Sequence, residues 1–454
     1  VEAHLTEWLN LSIRWIHMIV GIAWIGASFY FVWLENNLQR GNPREGLSGD
    51  LWAIHGGGIY HLEKYALAPP QMPEKLHWFK WEAYSTWLSG VALLTLVYYL
   101  NPTYYLLAPG SALHPALAVA IGLVSLLIGW VIYESLCDSA LGKRPALLGL
   151  VLFVLLVYAA WGYAQLFSGR AAYIHVGALI GTLMVGNVFR VIIPAQRALV
   201  AAIQEGREPD PALPAKGLLR SRHNNYFTLP VLFTMISNHF PSTYGNPYNW
   251  LILAAIAALG VLARHYFNTR HANQKFAWAL PAAALGMVCL AYISTPTTAP
   301  RPAPPVATES PAPTSTSTST GERTESPETP QPPEEPRVVQ NEYWPETPIT
   351  EPRVPAEPIE PVAPLETARE FALVQHIIED RCLECHSATP SSPIFATAPL
   401  GAMFDTPEQI QQMSEKIYAQ AVATQVMPLG NLTQMTQEER DLLGAWIEKG
   451  AKIE

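Results

Sequence analysis

Residues 145–167 read PALLGLVLFVLLVYAAWGYAQLF, a run without a single charged side chain. About 20 apolar residues cross the ~30 Å hydrocarbon core of a bilayer as a helix. In lipid, only a helix or a closed barrel bonds all of its own backbone polar groups. Working outward from this run, the same reading applies roughly to 8–35, 77–100, 113–137, 171–200, 222–239, 248–267 and 276–295. Half of the chain is apolar, yet mean hydropathy is only +0.13, because the apolar residues concentrate before residue 296. The first segment is too long for a signal peptide, lacks a basic leader and contains Arg14 and His17.

Cationic residues occupy alternate loops. Arg40, Arg44, Lys64 and Lys75 fill one, Lys143 and Arg144 the next. Arg197, Arg207, Lys216, Arg220 and Arg222 follow, then Arg264, Arg270 and Lys275. The loops near 101–112 and 240–247 carry none. The positive-inside rule places the basic loops in the cytoplasm and both termini outside a bacterial cytoplasmic membrane.

Composition changes at residue 296. Residues 296–364 hold 19 of the 40 prolines with Ser, Thr and Glu repeats, a composition expected to form a disordered linker. Residues 365–454 carry 6 basic against 13 acidic side chains, whereas 1–295 carry 18 against 13. The formal charge of −9 therefore describes no single domain. An acidic C-terminal domain suits a basic docking partner, and no nucleic-acid partner is expected.

That C-terminal domain contains Cys382-Leu383-Glu384-Cys385-His386, a C-x-x-C-H haem c attachment site. Two thiols at this spacing bond the haem vinyl groups and His386 supplies an imidazole to iron. The alternatives are a redox dithiol or half a zinc site, but no second cysteine pair completes a zinc set. Met427, in Met427-Pro428-Leu429-Gly430-Asn431, is the candidate second iron ligand, and a thioether there suits electron transfer. A helix with Phe371, Val374, Ile377 and Ile378 on one face precedes the motif. A helix with Leu442, Leu443, Trp446 and Ile447 closes the domain. The arrangement resembles a small class I cytochrome c. Cys137 and Cys289 read as apolar fillers without a disulfide.

The expected fold is therefore all-α: an eight-helix integral membrane domain (1–295), the linker (296–364) and the cytochrome c domain (365–454). Ionisable groups inside a membrane are candidates for function. His17 and His175 fall at similar depth in the outer half, as paired ligands to a b-type haem would. Near the cytoplasmic face, the loop His55-Gly56-Gly57-Gly58-Ile59-Tyr60-His61-Leu62-Glu63-Lys64 offers acid–base groups, with His55, His61 and Glu63 the catalytic candidates. Arg190, Arg222, Asn224 and Asn225 are candidates to bind an anionic substrate.

The chain resembles the bacterial membrane-bound urate hydroxylase (cytochrome c-linked urate oxidase) family. The resemblance rests on residues 14–26, RWIHMIVGIAWIG, on residues 52–65, WAIHGGGIYHLEKY, and on residues 77–84, HWFKWEAY. In the tail it rests on residues 403–410, MFDTPEQI, and on Met427-Pro428. It covers nearly everything except 296–364, where the linker is longer than the family leads one to expect. It implies oxidation of urate to 5-hydroxyisourate without peroxide. Electrons would leave through haem c to a cytochrome oxidase or a soluble cytochrome. The Arg14/His17 pattern is also similar to small haem-binding membrane proteins. Two other readings compete: a non-catalytic membrane cytochrome carrying electrons from quinol to a periplasmic acceptor, and a transporter with a tethered redox sensor. The second lacks a visible inverted repeat.

Overall fold

The computed structural model describes residues 2–294 and 364–453, apart from residues 68, 70, 109, 110, 209, 211, 272, 273, 394, 396 and 397. Of the expected linker, only residue 364 falls among them. The N-terminal part runs α1 (Glu2–Asn37), β1 (Leu47–His55), β2 (Gly58–Tyr65), α2 (Trp81–Leu94), α3 (Pro115–Asp138), α4 (Pro145–Leu166) and α5 (Gly169–Gly186). It continues with α6 (Ile193–Gln204), α7 (Ala212–Ile236), α8 (Pro241–Tyr244), α9 (Asn249–Thr269) and α10 (Ala279–Ile293). π-helical turns extend α2 through Thr95–Tyr99 and join α5 to α6 through Asn187–Ile192.

Among the described residues, five helices are long and apolar enough to cross a membrane: Leu5–Asn37, Pro115–Asp138, Pro145–Leu166, Gly169–Gln204 and Asn249–Thr269. The other three expected spans are helical but differ in kind. α2 has 14 residues before its π turn and α10 has 15, while α7 opens with Lys216, Arg220, Arg222 and His223. Pro115 and Pro145 start α3 and α4 at the position where a missing N–H costs nothing. The Ser168 hydroxyl caps α5 by accepting from the Ala171 amide at 3.2 Å.

α5 is the centre of the bundle, with Ala171, Tyr173, His175, Val176, Ile180 and Leu183 all buried. The outer helices expose Trp15, Ile22, Leu127, Leu150, Val154 and Val288. An apolar exterior of this kind suits lipid.

Among the described residues, the fold departs from all-α in one place. β1 and β2 form an antiparallel hairpin, pairing Ile54 with Ile59, Trp52 with His61 and Asp50 with Glu63. Gly56 (φ +58°) and Gly57 (φ +81°) form its two-residue turn. Two successive positive φ values are what a tight hairpin of this kind requires, so the glycines are accounted for by backbone geometry. Lys64 Nζ donates to Glu35 Oε2 at 2.6 Å, tying the hairpin to the end of α1.

After residue 363 come α11 (Pro364–Arg381), α12 (Pro407–Gln412), α13 (Ser414–Ile417) and α14 (Gln437–Glu448). Capping boxes start α12 at Thr406/Gln409 and α14 at Thr436/Glu439. α11 and α14 meet through Phe371 and Trp446, ring centroids 5.7 Å apart, over a core containing Val374, Ile378 and Leu443. Leu442 faces outward instead. This module packs with the helical bundle as one unit. It sits at the end where the Ser168 hydroxyl donates to the Tyr105 carbonyl at 3.0 Å. A β-carbon on Gly430 would lie 3.3 Å from the Thr103 carbonyl oxygen, and one on Gly245 would lie 2.6 Å from Thr424 Cβ.

Candidate functional site

The C-x-x-C-H motif continues directly from α11. The Cys382 amide donates to the Ile378 carbonyl at 2.9 Å and the His386 amide to the Cys382 carbonyl at 2.9 Å. His386 Nδ1 donates to the Ala402 carbonyl at 2.9 Å, which leaves Nε2 as the nitrogen free to bind a metal. Phe404 lies beside the imidazole, centroids 4.8 Å apart. Cys382, Leu383, Met413, Met427 and Met435 belong to the same apolar cluster, and two thiols, an imidazole and a thioether are the donor types a covalent haem takes. Burial pushes the Cys382 thiol up to about 12 and the Cys385 thiol upward as well. Redox dithiols need the opposite shift. Among the described residues no three His, Cys, Asp or Glu side chains converge as metal ligands.

Arg440 holds the Met427 loop. Its Nη1 donates to the Met427 carbonyl at 2.7 Å and to the Ala421 carbonyl, and its Nη2 to Asn431 Oδ1 at 3.2 Å.

In the bundle, Arg14 and Arg170 lie close enough to feel each other's charge, together with Tyr98 and Tyr105. His17 follows Arg14 by three residues and His175 follows Arg170 by five, rises of about 4.5 and 7.5 Å. His17 Nδ1 lies 2.9 Å from Ser89 Oγ, and its ring faces Gly90. His175 is fully buried. Its Nδ1 donates to the Ala171 carbonyl at 2.8 Å, and its Nε2 lies 3.1 Å from the Tyr99 hydroxyl. A β-carbon on Gly122 would come within 2.9 Å of that nitrogen. Each histidine thus faces a glycine on a neighbouring helix. Arg170 Nε is buried without a partner. His175 Nε2 is taken by the Tyr99 hydroxyl and His17 Nδ1 by Ser89 Oγ, so His175 is open to a further ligand only if Tyr99 moves.

The hairpin brings His61 and Glu63 together and leaves His55 apart. His61 Nε2 lies 2.8 Å from Asp50 Oδ2 and its Nδ1 3.6 Å from Glu63 Oε1. The imidazole stacks on Trp52, centroids 4.2 Å apart, and Arg44 pairs with Glu63. His55 is exposed at the turn.

The four anion-binding candidates also separate. Arg190 and Arg222 are exposed, whereas Asn224 and Asn225 are buried. Although adjacent, the two asparagines serve different neighbours. Asn224 Oδ1 accepts from Asn187 Nδ2 at 2.8 Å, and that same amide donates to the Tyr133 hydroxyl at 2.8 Å. Tyr133 in turn bonds His223 Nδ1 at 2.7 Å and lies under the Arg220 guanidinium, which pairs with Glu134 at 2.9 Å and Asp138 at 3.2 Å. Asn225 Oδ1 accepts from Arg264 Nε at 2.9 Å and from Asn268 Nδ2 at 2.7 Å. Arg264 and Asn268 were not among the sequence candidates. Their link to Asn225 spans two helices, a relation with no local periodic signal.

A family model described as urate oxidase N-terminal matches residues 3–295. No curated protein and no solved structure matched the chain.

Proposed function

Because the chain belongs to the urate oxidase N-terminal family, we propose that it is a membrane-bound urate hydroxylase with a covalently attached haem c. One observation carries this reading: a chain matched to that family over residues 3–295 also bears a C-x-x-C-H turn whose imidazole keeps Nε2 free. Cys382 and Cys385 hold the haem, His386 is one iron ligand and Met427 the other. A b-type haem between His17 and His175 is proposed for the bundle. The orientation is extracytoplasmic for both termini and the C-terminal module. In support, the module packs at the end formed by the loops poor in basic residues, near Thr103 and Gly245.

The reaction adds one water to urate and releases two electrons and two protons to give 5-hydroxyisourate. Haem c, when bound, supplies an acceptor that takes electrons one at a time. The protein's own part is to bind the anion, exclude competing water and move protons. His61, with Asp50 at Nε2 and Glu63 at Nδ1, is a candidate to relay a proton between these two carboxylates. A cytochrome oxidase or soluble cytochrome receives the electrons.

Anaerobic visible spectra of the purified protein, before and after urate, test the proposal. Reduced haem bands on adding urate are expected. An intact haem c that responds to a chemical reductant but not to urate would refute the hydroxylase and leave an electron conduit.

A further inference from the structure

Three arginines are buried among the described residues: Arg220, Arg264 and Arg440. Two have their charge answered. Arg220 faces Glu134 and Asp138, and Arg440 faces three oxygen acceptors. Arg264 differs. It is 5% exposed, and its one hydrogen bond runs from Nε to Asn225 Oδ1. The Phe29 ring lies 4.0 Å from the guanidinium carbon and covers one face of the fork. No carboxylate pairs with it among the described residues. Its Nη2 is buried with no partner, and so are Asn225 Nδ2 and Asn268 Oδ1.

A buried charge without a counter-charge is costly, and so is each unpaired polar atom. Here two donors and one acceptor stand unpaired on α7 and α9 beside a guanidinium. That is an incomplete set, and its complement is an anion with both acceptor atoms and an N–H. Phe29 and Asn268 are half-buried, so the seam between α1, α7 and α9 is not fully enclosed.

We infer that this seam binds the substrate anion, with Arg264 as its counter-charge. The inference rests on the proposed function for the identity of the ligand. Urate is a planar anion at neutral pH, with ring N–H groups beside carbonyl oxygens. Arg264 Nη2 and Asn225 Nδ2 donate to its acceptors, and Asn268 Oδ1 accepts from a ring N–H. The exposed Arg190 and Arg222 are not needed.

The test uses the full-length protein in detergent, with urate binding followed by equilibrium dialysis and by the shift of Tm. Arg264→Met removes an unanswered buried charge, so without urate its Tm equals or exceeds that of the wild type. Its affinity for urate falls about 30-fold or more, the loss of a charge-assisted bond, and urate no longer raises Tm. Asn268→Asp supplies an internal counter-charge at the cost of its hydrogen bond to Asn225: urate binding is lost, while both variants keep the reduced haem c spectrum given by a chemical reductant. Wild-type affinity in both variants, or a lower Tm in Arg264→Met with the urate shift intact, would show a structural arginine solvated by internal water and overturn the inference. A wild-type protein that neither binds nor oxidises urate would overturn the functional reading itself.

Discussion

Replacing Arg440 with Met should loosen the candidate iron ligand Met427 without touching either proposed iron ligand itself. Arg440 is 4% exposed, so its hydrogen bonds carry little solvent screening. Two of its acceptors, the Met427 carbonyl and Asn431 Oδ1, belong to the loop that presents the thioether. Bonds from a charged donor contribute about 1.5–3 kcal/mol each. Removing the charge recovers part of its desolvation cost, leaving about 3 kcal/mol against loop closure. That is on the order of a 100-fold easier opening. The assay is the far-red sulfur-to-iron absorption band of the oxidised protein, followed as pH is raised. Displacement of the thioether needs an incoming ligand to lose its proton, so easier opening lowers the pH of displacement, by about 2 units for this energy. A variant whose band vanishes at the same pH as in the wild type would refute the argument, since the loop would then owe its position to something other than Arg440.

Three further outcomes follow from named contacts. His17→Ala should abolish any b-type spectrum and leave haem c attached; retention of both spectra would remove His17 as a ligand. Gly245→Val should crowd Thr424, slowing urate-driven reduction of haem c in stopped flow while its midpoint potential stays put. Glu439 gives a pH dependence: burial pushes its carboxyl up, but hydrogen bonds from Arg381 and the Thr436 amide outweigh this and hold it below the usual range. A depressed carboxyl contributes stability above its unfolded pKa of about 4.3, lost as pH falls through the lower folded value. In melting curves, Glu439→Gln should therefore lose less stability than the wild type on acidification below pH ~4. The difference should be about 1 kcal/mol or less for so exposed a pair.

What the sequence made legible was what local chemistry or periodicity encodes. Phe371, Val374, Ile377 and Ile378 share a face at helical spacing, and they do line the module's core. The run at 145–167 is one helix, α4, ending one residue early at Leu166. The hairpin was missed because three glycines have two readings, a ligand-cradling loop and a turn with two positive φ values. Only the pairing of Ile54 with Ile59 decides between them. Arginine roles were hidden for another reason. Arg220 and Arg222 are two residues apart on one helix, yet one is buried against Glu134 and the other exposed. Type alone does not say which way a side chain turns, and the partners that decide it lie on other helices.

On the proposed function, the close approach of Gly430 to Thr103 would give the electrons two different rate laws. Filling the module from the bundle would happen within one molecule, so dilution should leave its rate unchanged. Emptying it would be an encounter with a separate acceptor, first order in that acceptor's concentration. With the Met427–Asn431 side covered, the acceptor meets another face of a module that carries 6 basic and 13 acidic side chains. Added salt should therefore slow the delivery to a cationic acceptor while the internal step goes on at its own pace.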